Sequence, residues 1–240
     1  MALNARSVGG TAMMSNNAAP RPIPCSTFKL WCGMSRSQEG GQLARATYYC
    51  VDIECSGPVP SMYDMISLGA VPVHWTSGRY VVGEERFYAE MKPESDEVDA
   101  GAMAVNGLDI HALRATGQQR SAALRDLTAF VERTLDPGSR PVFVGHNAPF
   151  DWSFVCWSYK ADGLVNPFGY KALDTKALAM GVLGLHWFDA NKERLAEALT
   201  LPNVTQELVH RADYDAWYQA HILVALLQQG RFEERTGCDG

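Results

Sequence analysis

The stretch Ala46-Thr47-Tyr48-Tyr49-Cys50-Val51-Asp52-Ile53-Glu54 joins aromatic and β-branched residues to two carboxylates at its end. That composition predicts a strand over 46–53, which Gly57, Pro58 and Pro60 then terminate. A side-chain period of two places Asp52 and Glu54 on the same face. A D-x-E triplet alone arises by chance about once in a chain of this size, so position carries the weight. Two carboxylates at the C-terminal end of a central strand, next to a glycine that permits close backbone approach, stand where open α/β sheets bind ligands. Such a face can hold a metal.

Outward from this strand the pattern stays orderly. Residues 65–74 and 80–91 read as further strands around the turn at Ser77-Gly78, an antiparallel hairpin or meander. Leu124, Leu127, Val131 and Leu135 recur at three and four residues and predict a helix over 121–135, stopped by Asp136-Pro137-Gly138. Val142 to Gly145 is a short apolar run, as expected of a strand covered on both faces. Pro149 opens a helix that ends near Gly163, and Asp174 precedes another. The last long helix, about 211–229, gathers Ala212, Ala216, Ala220, Leu223, Val224 and Leu227 on one face and stops at Gly230. Strands followed by strand-helix alternation imply an α/β fold, a mixed sheet with helices on both faces.

Upstream, residues 1–38 hold Arg6, Arg21, Lys29 and Arg36 but no Asp or Glu, together with Pro20, Pro22 and Pro24. That segment carries +4, while the rest of the chain has 17 basic against 27 acidic residues, or −10. The expectation is a disordered extension over 1–44, a folded domain over 45–230 and a tail over 231–240. An acid-free start can be an organelle transit peptide, but the prolines would break the amphipathic helix such signals need. A start placed too far upstream, with Met34 nearer the true beginning, reads equally well. The six cysteines, Cys25, Cys32, Cys50, Cys55, Cys156 and Cys238, form no C-x-x-C pair. Neither a zinc knuckle nor a disulfide scaffold is indicated, and reduced thiols in a cytoplasmic setting are expected. No run of about 18 apolar residues suggests a membrane span. The net charge of −6 argues against a broad basic face gripping duplex nucleic acid, but not against nucleic acid as substrate, because bound cations reverse the sign an approaching phosphate meets.

Three other side chains complete a candidate centre. Asp151 follows Gly145-His146-Asn147-Ala148-Pro149-Phe150 at a helix entry, where Pro and Asp are also ordinary helix-start residues. Asp215 has the same plain reading near the start of the final helix. Were 210–215 all helical, His210 and Asp215 would point about 140° apart. Placed in the loop before that helix, His210 can face the same centre as Asp215.

In order along the chain, Asp52-Ile53-Glu54, Asn147-Ala148-Pro149-Phe150-Asp151 and His210-Arg211-Ala212-Asp213-Tyr214-Asp215-Ala216 resemble the three motifs of the DnaQ-like, or DEDDh, exonucleases. Ribonuclease T and the polymerase proofreading subunits belong to that family. Asn106-Gly107-Leu108 and Leu173-Asp174-Thr175 add smaller echoes, and the resemblance spans about residues 46–228. It implies a ribonuclease H-like fold, a mixed five-stranded sheet with helices, and hydrolysis from the 3′ end. It further implies two divalent cations, Mg2+ or Mn2+. Asp52 would bridge them, Glu54 and Asp215 would support the ion of the nucleophile, and Asp151 the other. His210 would take the proton from the attacking water, and the products would be nucleoside 5′-monophosphates.

Asp213 and Asp174 lie beside the motifs but out of their register. Cys55-Ser56-Gly57-Pro58 departs from the Thr-Thr-Gly-like run of many members. Candidate substrate contacts are Cys55, Ser56, Gly57, Asn147, Phe150 and Arg211. Phe150, Trp152, Tyr214 and Trp217 flank the motifs as stacking or core residues. The expected partners are single-stranded RNA or DNA 3′ ends and no membrane, with a homodimer left open. Two other readings remain: a non-catalytic nucleic-acid-binding module on a nuclease fold, and a metal phosphohydrolase of small nucleotides.

Overall fold

The computed structural model describes residues 45–232. The expectations for 1–44, and for most of the 231–240 tail, lie outside the described residues. The predicted first strand is β1 (Arg45–Cys55), followed by β2 (Met65–Thr76), β3 (Arg79–Val82) and β4 (Phe87–Glu90). Three helices come next, α1 (Ala100–Asn106), α2 (Ile110–Thr116) and α3 (Arg120–Thr134). Then β5 (Ser139–Gly145), α4 (Pro149–Ala161), β6 (Ala172–Asp174) and α5 (Thr175–Leu183) alternate, before α6 (Lys192–Ala198), a 3-10 turn at Gln206–Leu208, and α7 (Ala212–Gln229).

The sheet is mixed and runs β3-β2-β1-β5-β6, with β4 also paired to β2. Strand β1 is antiparallel to β2 and parallel to β5, which places the Asp52–Glu54 end between neighbours on either side. The single strand expected over 80–91 is instead two. Strand β3 pairs with 73–76 of β2 and β4 with 67–70, both on the edge opposite β1, so the sheet has five positions filled by six strands. The break falls at Pro72, which has no N–H to offer a ladder. Its carbonyl accepts instead from the N–H of Gly83 (2.8 Å), where the chain bends between β3 and β4.

Alternation along β1 builds two cores. Tyr49, Val51 and Ile53 pack with Leu124, Leu127, Phe130 and Val131 of α3 and Phe154, Val155 and Tyr159 of α4. Cys50 lies on the other face with Val71, Val73 and Val144, under Ala216, Ala220, Leu223 and Leu227 of α7. The opposite side of α7 buries Tyr218, Ile222 and Leu226 against Ala179 of α5 and Leu195 of α6. Helix α7 is therefore sandwiched, and Asp52 and Glu54, on the even face of β1, look toward it. Among the described residues no helix is long and apolar enough to cross a membrane, and Cys50, Cys55 and Cys156 are free thiols.

Candidate active site

The ladder between β1 and β5 ends at Cys50 and Val144, leaving the β1 backbone beyond it in need of other partners. Asp151 supplies one: its Oδ1 accepts the N–H of Ile53 at 3.1 Å. This bond ties the first turn of α4 to Ile53, the residue between Asp52 and Glu54, and Asp151 is 5% exposed. Gly145 and the buried Ala148 make room, since a side chain on Gly145 would crowd the Ala148 backbone.

Asp215, also 5% exposed, enters from α7. His210 lies outside the helix with a φ of 66°, in the left-handed region that non-glycine residues seldom adopt. That turn aims its N–H at Asp215 Oδ2 (2.9 Å). Donor atoms of Glu54, His210 and Asp215 come within 4.8 Å of one another, a group able to hold a metal ion. Asp213 turns away to pair with Arg211 (2.7 Å). Asp174 caps α5, its Oδ1 accepting the N–H groups of Lys176 (2.9 Å) and Asn147 (3.0 Å).

The suggested substrate contacts are placed unevenly. The side chains of Cys55 and Ser56 are turned inward, the first into the core and the second accepting the Asp64 N–H (2.9 Å). Gly57 is buried where a methyl group would overlap the Tyr63 ring. Only backbone is offered there, and the Cys55 carbonyl is already taken by Asn106 Nδ2 (3.1 Å). Asn147 is exposed with a φ of 66°. Arg211 is exposed, with its guanidinium over the Tyr88 ring at 5.1 Å. Phe150 and Trp152 pack against the α3–α4 core, and Tyr214 is buried with its hydroxyl accepting the Thr205 N–H. Trp217 is half-buried beneath Arg86, 4.7 Å from its ring.

Three further residues complete the centre without any motif to announce them. Gln219, on α7 one helical turn beyond Asp215, donates from Nε2 to Asp52 Oδ1 (2.5 Å) and accepts the His146 N–H at Oε1 (3.2 Å). Lys192, the first residue of α6, brings its ammonium 3.1 Å from Asp215 Oδ1 and 3.9 Å from Asp52 Oδ1. Gly69, opposite Asp52 in the β1–β2 register, lets the start of α7 touch the sheet.

Burial and crowding govern the charges. Burial, then the neighbouring Asp151, Asp215 and Glu54, push the Asp52 carboxyl well above the usual range, with Lys192 opposing. Glu54 is pushed up to about 8 by burial and by Asp215. Asp151 rises to about 7 through burial, tempered by the Ile53 N–H. Burial works against the Lys192 charge, but Asp52 and Asp215 outweigh it and raise its pKa. Mutual repulsion and burial disfavour their joint ionisation, and added positive charge would favour it.

Known proteins resemble this chain in sequence and in fold. The family model for an Rv2179c-like 3′-5′ exoribonuclease domain matches residues 47–227. The chain is 32% identical over 175 residues to the 3′-5′ DNA exonuclease Cap18 of Escherichia coli, covering 73% of this chain and 88% of that protein. It is 29% identical to a ribonuclease T of Yersinia pestis, over 75% of this chain and 83% of the relative. The nuclease domain of 3′hExo, a DEDDh member solved with rAMP, superposes with a TM-score of 0.63 at 12% identity, covering 82% of this chain and 99% of that one. With the fold, the four acids and these matches in place, the chain belongs to the Rv2179c-like 3′-5′ exoribonuclease domain family and is a DnaQ-like 3′→5′ exonuclease.

Proposed function

We propose that the chain trims single-stranded RNA or DNA from the 3′ end, releasing nucleoside 5′-monophosphates, with two divalent cations held by Asp52, Glu54, Asp151 and Asp215. The observation that carries this reading is the meeting of four carboxylates from β1, α4 and α7 at one strand end, three of them raised in pKa. An all-oxygen set of hard donors suits Mg2+ or Mn2+ better than zinc. Cations bound there supply an activated water and charge stabilisation for the departing 3′ oxygen.

The chain's own groups do the rest. His210, exposed at the rim and tethered through its backbone to Asp215, accepts the proton of the attacking water. Gln219 holds Asp52 in orientation, and the Ile53 N–H does the same for Asp151. A net charge of −6 disfavours a broad grip on a duplex, so the terminal bases come in separated. Among its relatives, Cap18 is named for DNA and ribonuclease T for RNA, which makes both strands necessary substrates in the test.

Purified protein is incubated with 5′-labelled single-stranded RNA and DNA in Mg2+, Mn2+ or EDTA. A ladder shortening one nucleotide at a time from the 3′ end, abolished by EDTA and by Asp52→Ala, is the expected result. Undiminished cleavage in excess chelator, or mononucleotides leaving first from the 5′ end, sinks the reading.

A further inference from the structure

Lys192 follows Asn191, whose side chain caps α6 by accepting the Arg194 N–H (2.9 Å). A cation in a helix's first turn faces the positive end of the macrodipole, so its position does not serve the helix. The ammonium reaches instead into the acidic centre, between Asp215 Oδ1 at 3.1 Å and Asp52 Oδ1 at 3.9 Å. The second oxygen of Asp215 is taken by the His210 N–H, which leaves Oδ1 as the atom turned toward Asp52. An ion shared by these two carboxylates would compete with the lysine for Asp215 Oδ1, and would repel an ammonium so close.

A destination for the displaced side chain lies next to it. Lys192 lines a cavity of about 270 Å³ together with Glu193, Val204, His210, Tyr214 and Tyr218. The Tyr218 hydroxyl is buried and, among the described residues, has no hydrogen-bond partner. A buried orphan hydroxyl is costly and would accept a hydrogen bond from an ammonium.

We propose that Lys192 is a resident counter-cation that competes with divalent ions for Asp52 and Asp215, and swings toward Tyr218 when an ion enters. This rests on the metal-holding role proposed above. In the metal-free protein the lysine offsets repulsion among the acids. The same contact weakens apparent metal affinity, because an ion that needs a minority conformation binds in proportion to that minority.

The test is calorimetric titration of Mn2+ into the full wild-type chain and into Lys192→Gln and Asp52→Asn variants. Lys192→Gln should bind Mn2+ about tenfold more tightly, the factor expected if the lysine-out form is about a tenth of the metal-free population. Equal or weaker binding by Lys192→Gln, while Asp52→Asn abolishes wild-type binding, overturns the lysine proposal alone. Wild-type protein that binds no Mn2+, or binds it regardless of Asp52→Asn, overturns the metal reading and the lysine proposal together. Should Lys192→Gln fail to fold, wild-type protein with 13C-dimethylated lysines gives a second measurement, the Lys192 signal being assigned by its loss in Lys192→Arg. That resonance should shift at saturating Mg2+, and one that stays in place overturns the proposal.

Discussion

A methyl group on Gly69 would overlap the backbone of Ala212 at the start of α7. Gly69 pairs with Asp52 across the β1–β2 ladder, so the carboxylate strand and the Asp215 helix are set to each other's distance by a missing side chain. Gly69→Ala should push α7 outward, lowering stability by about 1–3 kcal/mol for an overpacked contact. Activity should fall further, by about 10²-fold for a displacement on the order of 1 Å. Thermal melts and single-turnover rates on one preparation check both, and a variant with wild-type rates would show that the approach is not needed.

Gln219 ties Asp52 to the His146 N–H through one amide. Gln219→Ala leaves both without that partner, and a loss of about 10–100-fold in metal affinity or turnover is expected, as for other supporting partners of metal ligands. Because Gln219 is 1% exposed, the melting temperature must be measured alongside. Full affinity and rate in the folded variant would assign Gln219 to packing alone.

Glu54 and Asp151 rise on folding from 4.5 to about 8 and from 3.8 to about 7. The folded chain therefore binds more protons than the unfolded one between those limits. The stability that goes with the raised values is complete below pH 3.8 and is lost as pH climbs through about 7 and 8. His146 opposes this only below its ordinary 6.5, since burial and Lys192 lower it to about 4. The clear window is thus pH 6.5 to 8, where the melting temperature in EDTA should fall with rising pH and Mg2+ should reduce the fall. A flat or rising profile in EDTA would contradict the crowded-acid picture.

His210 and Asp215 share a hydrogen bond but are assigned different work. His210→Ala should lower the chemical step by about 10²–10⁴-fold, the usual cost of a lost general base, while Mn2+ affinity stays near wild type. Asp215→Ala should weaken both. Since the His210 ring also lies among donor atoms able to hold an ion, a large loss of Mn2+ binding in His210→Ala would make it a ligand instead.

Much of this was legible because β1 and α7 obey simple periods. The alternation of Tyr49, Val51 and Ile53 against Cys50 and Asp52 is local arithmetic, and the apolar spacing of α7 is likewise written in its own residues. The left-handed turn at His210 that brings it to Asp215 was foreshadowed by the 140° an unbroken helix would impose. Short helices such as α1, α2 and α6 span two turns and show little periodicity, leaving only their caps at Asp99, Asp109 and Asn191 as signals. Gln219 and Lys192 were invisible for another reason. Their partners lie 167 and 23 residues away, and nothing near either one in the chain distinguishes it from an ordinary helical amide or a solvated lysine. Pro72 was the readable clue to the divided strand, since its missing N–H is a property of sequence.

Helix α7 is buried on two sides, against the sheet and against α5 and α6, whereas His210 lies in an exposed turn and Lys192 on a helix of seven residues. Amide protons of α7 should consequently exchange with solvent only when the whole domain opens, and those of 201–210 and α6 through small local openings many times a second. Asp215 is thus anchored in a helix that opens last, while His210 and Lys192, whose nitrogen groups face it, hang from segments that open more readily.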